Sequence, residues 1–189
     1  MDTIQEKHER AVGDAFVDSY NKAHGTSFNY YTRGADPPDL IYREGKQELW
    51  LEITGAYYDA EHATMLWQNA RDLPDAPGSW NSWSPDEKLI HSINLALKKK
   101  CGNAHPSGCV LVVVIYPDLC TAEEFVALLP KINVPAGHPF AHIYVGGLFP
   151  QSSGGGVDPV AWTPHGWGGR ERPRCRRAIG RTRRRSGGR

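Results

Sequence analysis

The chain has 189 residues, 40% hydrophobic and 23% charged, with a formal net charge of +1. That is enough chain to bury a real core in one soluble globular domain. The longest apolar run, Cys109 to Tyr116, is far too short to span a bilayer, and nothing resembles a signal peptide.

Four cysteines, Cys101, Cys109, Cys120 and Cys175, are too few and too irregularly spaced for a disulfide framework, which points to a reducing, cytoplasmic setting. Cys101, His105 and Cys109 recur at four-residue spacing. Pro106 breaks any helix that would align them, so zinc is a minor reading.

The elements follow in order. Ile4, Ala11, Val12, Ala15, Phe16, Ser19, Tyr20 and Ala23 recur at helical spacing, Glu9 falls within that stripe, and Gly25 stops the helix. Phe28 to Thr32 reads as a strand. A hairpin follows: Asp39-Leu40-Ile41-Tyr42 rises to a turn at Glu44-Gly45-Lys46, and Glu48 to Thr54 returns. Side chains alternate along a strand, so Leu49, Leu51 and Ile53 share one face and Trp50, Glu52 and Thr54 the other.

Residues 55–83 form an insertion, with a short helix around Ala60 to Ala70 and a turn-rich end. Its Trp67, Trp80 and Trp83 could stack on a base, although closing a small satellite core or a dimer interface is the better reading. Ser84-Pro85-Asp86-Glu87 predicts an N-cap serine and a capping box, opening a helix whose apolar face is Leu89, Ile90, Ile93, Ala96 and Leu97. Gly102 suits a left-handed C-terminal cap. Val110 to Tyr116 is the continuous β-branched run of a strand covered on both faces. Thr121 to Glu124 is a second capping box, Pro130 ends its helix, and His142 to Phe149 is a last strand.

Asp39 and Glu52 are the informative pair, because the hairpin brings two carboxylates together and Glu52 emerges from an otherwise apolar strand. A buried carboxylate needs a partner, which a hard divalent cation can supply. The plainer reading is that Asp39 caps a turn and Glu52 is solvated.

The element order, with Pro38-Asp39 and Glu52-Ile53-Thr54, resembles the PD-(D/E)xK, or restriction endonuclease-like, superfamily over roughly Ile4 to Phe149. The resemblance implies an α/β fold with an αβββαβ core, its mixed central sheet flanked by helices, spanning residues 1–150. It implies that Asp39 and Glu52 bind Mg²⁺ or Mn²⁺ and that Glu9 matches the first-helix glutamate. The activity implied is metal-dependent hydrolysis of phosphodiester bonds in nucleic acid, DNA foremost. Nucleases that cut both strands in similar families often act as homodimers.

The lysine expected two residues after the second acid is absent, and Thr54 stands in its place. Some similar members move it to the following helix, which here ends Lys98-Lys99-Lys100. With Ile90 as reference, Lys100 projects about 80° to one side of the apolar stripe, Lys98 lies near the other edge and Lys99 points away. Lys100 is therefore the first choice and Lys98 the second. Lysines in a last turn also simply complement the helix dipole. A nuclease-fold binding module with catalysis lost, and an unrelated α/β protein, remain alternatives.

Residues 151–189 read as a Gly/Ser linker and a disordered Arg-rich tail. Residues 170–189 hold ten arginines and one glutamate, which leaves the body twelve basic and twenty acidic residues, net −8. The tail could bind nucleic acid through counterion release, whereas the acidic body argues mildly against sequence-independent DNA binding. Arg33, Arg43 and Lys98 to Lys100 are the local positive candidates.

Overall fold

A computed structural model of the chain describes residues 3–35, 37–81, 83–116, 120–150, 157–162 and 176–177. The elements are α1 (Ile4–His24), β1 (Asn29–Arg33), β2 (Leu40–Glu44), β3 (Gln47–Ala56), α2 (Ala60–Ala70), α3 (Pro85–Cys101), β4 (Val110–Ile115), α4 (Ala122–Leu128), β5 (His142–Pro150), β6 (Val157–Trp162) and β7 (Arg176–Arg177). Strands β1 to β5 lie side by side in chain order as a mixed open sheet. β1, β2 and β3 form an antiparallel meander, and β3, β4 and β5 run parallel. β6 pairs antiparallel with β5, and β7 pairs with Gln47 and Glu48. Both fall within the stretch read as linker and tail, whose other residues lie outside those described.

The alternation read for β3 divides the core. Leu49, Leu51 and Ile53 join Val110, Val112 and Tyr144 beneath α1, where Val17 and Tyr20 meet them. On the opposite face Leu111, Val113 and Ile115 pack with Leu89, Ile93 and Leu97 of α3 and Phe125 of α4. β4 is thus covered on both faces, as its unbroken β-branched run requires. Among the described residues no helix is long and apolar enough to cross a membrane.

Three local expectations are corrected. The buried line of α1 is Glu9, Gly13, Val17 and Tyr20, while Ile4 is exposed, as are Ala11 and Ala15. The physical reason is close approach: a Cβ on Gly13 would stand 2.5 Å from Leu40 Cδ1 and 2.7 Å from the Tyr42 hydroxyl, so a larger side chain would push α1 off β2. Ser84 makes no side-chain cap to α3, because at φ 52° its left-handed backbone does not aim the hydroxyl at the first turn. Gly102 has right-handed backbone, φ −80°, with its N–H returned to carbonyls of the last turn.

Other signals hold. Gly25 is left-handed at φ 63° after α1, and Thr121 and Glu124 make the reciprocal capping box that starts α4. The insertion carries α2 and a satellite core. His62 is fully buried against Tyr58 and Trp80, and the Trp80 indole donates to Asp59. Trp67 donates to the Tyr57 hydroxyl and meets His8 edge-on. Trp83 alone of the three is exposed.

Candidate metal centre

Glu52 sits midway along β3 opposite Leu111 of the central strand, on the face covered by α3. Asp39 immediately precedes β2. Leu40 pairs with Leu51, so Asp39 lies one step further along the same antiparallel ladder, across from Glu52. The loop that delivers Asp39 is tightly closed. The Gly34 N–H donates to the Asp39 carbonyl at 2.9 Å, and any Cβ on Gly34 would collide with the Pro38 carbonyl.

Both acids are buried, Glu52 to 2% exposure and Asp39 to 8%. One Asp39 oxygen, Oδ2, accepts from the Ile53 backbone N–H at 2.7 Å. Burial, reinforced by the negative charges of Glu52 and Glu9, pushes the Asp39 carboxyl up to about 6, against the opposing pull of the Ile53 N–H and of Lys100. Glu9 reaches this neighbourhood from α1. It accepts from Gln5 at 2.9 Å and from the Arg33 guanidinium at 2.6 Å.

Lys100 answers Glu52. Its ammonium donates to Oε1 at 2.5 Å, from the last turn of α3 to the middle of β3. The remaining oxygen, Oε2, is buried with no hydrogen-bond partner. Lys98 is exposed on α3 and takes no part in the Glu52 contact. Thr54 lies two residues beyond Glu52 on the same face of β3 and is partly exposed.

In the sequence His105 stands out only for its cysteine spacing, yet its Nδ1 stands 3.9 Å from Glu52 Oε2 and its side chain is 3% exposed. The signal available was its place in the short loop feeding the central strand, whose first residues pair beside Glu52. The other cationic candidates are engaged elsewhere: Arg33 with Glu9 and Glu6, Arg43 with Glu48.

Among the described residues, no three His, Cys, Asp or Glu side chains gather closely enough to enclose an ion by themselves. An open cavity of about 610 Å³ lies elsewhere, between α2 and α3, lined by Tyr57, Tyr58, Asp59, Lys88, His91 and Leu95 among others. Compared with protein-family models, with curated proteins and with solved structures, the chain matches none.

Proposed function

We propose that the chain is a metal-dependent nuclease of the restriction endonuclease-like type, hydrolysing phosphodiester bonds in nucleic acid, DNA foremost. The observation that carries this reading is the Lys100 ammonium on Glu52 Oε1, beside Asp39 and with Oε2 left free. This contact supports reading Lys100 as the motif's lysine, although Thr54 occupies its usual place in the chain.

The residues fit a hard divalent cation on two grounds. Glu52 keeps a buried oxygen without a partner, and burial, with the negative charges of Glu52 and Glu9 added, pushes the Asp39 carboxyl up. Both mark buried carboxylates that a cation would stabilise. Two carboxylates, with water and phosphate oxygens completing the sphere, form a donor set that Mg²⁺ accepts. Asp39 and Glu52 would hold the ion, with Glu9 adding negative charge behind them. The ion, when bound, supplies a Lewis acid for a phosphoryl oxygen and lowers the pKa of water. Lys100 would orient the attacking water and stabilise charge developing on the phosphoryl oxygens. Arg33 fixes the Glu9 carboxylate, and the Ile53 N–H fixes that of Asp39.

The test is cleavage of plasmid and single-stranded DNA by the full chain, with Mg²⁺ or Mn²⁺ against EDTA, alongside Glu52→Ala and Lys100→Ala. Metal-dependent cutting lost in both variants supports the assignment. No cutting and no metal binding by the wild type would overturn it.

A further inference from the structure

His105 leaves the loop between α3 and β4 with its ring against Phe140, centroids 4.5 Å apart. Its Nε2 lies 3.0 Å from the Lys100 carbonyl oxygen. A carbonyl can only accept, so Nε2 carries the ring hydrogen, and in the neutral ring Nδ1 presents a bare lone pair. That lone pair faces Glu52 Oε2 across 3.9 Å, too far for a hydrogen bond. Both atoms are buried without a hydrogen-bond partner.

Two buried polar atoms facing one another without a hydrogen bond are costly unless an ion or a bridging donor lies between them. Lys100 does not fill that role, since its ammonium is on the other oxygen, Oε1. One metal–nitrogen and one metal–oxygen bond together span about 4.0–4.3 Å, so atoms 3.9 Å apart can both touch one ion. The Nε2–H bond to a backbone carbonyl is also the usual way a ligating histidine is fixed in tautomer and orientation.

Resting on the proposed metal centre, we propose that His105 Nδ1 is a nitrogen donor to the ion held by Glu52, and that this donor makes the centre favour late first-row transition ions over Mg²⁺. Imidazole suits such ions, and an all-oxygen pair of carboxylates would favour them less strongly. Glu52 supplies an oxygen, and His105 sets which ion is preferred.

Co²⁺ and Mg²⁺ titrations of the full chain, followed by calorimetry and, for Co²⁺, by visible absorption, test this without reference to cleavage. The wild type should bind Co²⁺ at least ~10-fold more tightly than Mg²⁺. His105→Gln retains a group able to donate to the Lys100 carbonyl. It should lose about tenfold in Co²⁺ affinity with a changed absorption spectrum, while Mg²⁺ affinity stays within about twofold. In the unmutated protein, the ¹⁵N resonance of His105 Nδ1 should move on adding Zn²⁺, which frees the test from any folding defect in the variant. An unchanged Co²⁺ affinity and spectrum in His105→Gln, or an unmoved Nδ1 resonance, would overturn the assignment. If Mg²⁺ binding still depends on Glu52 in that case, the nuclease centre stands and only the role of His105 falls. If the wild type binds neither ion, both fall together.

Discussion

The Lys100 ammonium lies 2.5 Å from Glu52 Oε1, joining the last turn of α3 to the middle of β3 across 48 residues of sequence. Glu52 is 2% exposed and the Lys100 side chain 21%. Removing one partner of such a pair leaves a charge stranded in the core. Lys100→Met should therefore cost about 2–3 kcal/mol, toward the low end for buried pairs because Lys100 is partly solvated. The double variant Glu52→Gln with Lys100→Met should recover most of that stability and no catalysis. Urea denaturation of the four proteins in a double-mutant cycle reads the coupling, and near-additive losses would count against it.

Thr54 lies two residues along the Glu52 face of β3, whereas Lys100 reaches Glu52 from α3. Thr54→Lys in a Lys100→Met background should restore part of the metal-dependent cleavage, since position 54 shares the Glu52 face of β3. The check is the initial rate on supercoiled plasmid. A double variant no faster than Lys100→Met alone would show that the two positions do not reach a common space.

Asp39 gives the centre a pH signature. Its carboxyl is raised from an unfolded value of 3.8 to about 6, so between those values the native state holds more protons than the unfolded chain. Stability then falls as pH rises from about 4 to about 6, and the deficit persists above. Asp39→Asn should remove that fall, raising Tm by about 2–4 °C at pH 7 with little gain at pH 4. The same variant should lose metal binding, a gain of stability at the expense of function. Scanning calorimetry at both pH values, with metal titration of each protein, decides it. In the wild type, metal affinity should climb as pH rises toward 6 and then level off.

Gly13 sets how closely α1 approaches the strand that follows Asp39. Gly13→Val should cost about 1–3 kcal/mol, because its side chain would meet Leu40 and disturb the Tyr42 hydroxyl, which donates to Asp14 at 2.7 Å. Gly78→Ala, where an added Cβ meets nothing within 4 Å, is the control and should be within ±0.5 kcal/mol. Thermal melts of the two variants make the comparison.

What could be read from the chain was local and periodic. Alternation along Glu48 to Thr54 fixed which face Glu52 shares, because the period of two belongs to the strand itself. The run Val110 to Tyr116 announced a strand covered on both faces, and β4 spans Val110–Ile115 of it. Thr121 with Glu124 marked a helix start through hydrogen bonds made within four residues. Helical geometry ranked Lys100 ahead of Lys98 and Lys99, once the resemblance implied a lysine on that helix.

What required the tertiary structure was anything set by two elements meeting. The buried line of α1 is centred on Gly13, since contact with β2 selects the smallest residue, and hydrophobic periodicity is blind to that choice. Ser84 fails as a cap because the preceding chain delivers it with left-handed backbone. Arg33 meets Glu9 across 24 residues, and His105 meets Glu52 across a parallel strand crossover. Sequence by itself determined the strands, helices and faces on which the two acids and the lysine lie. Only the packing of α1 and α3 against the sheet decided that Glu9, Lys100 and His105 converge on the hairpin acids, because a contact between distant residues depends on how whole elements dock and carries no local pattern.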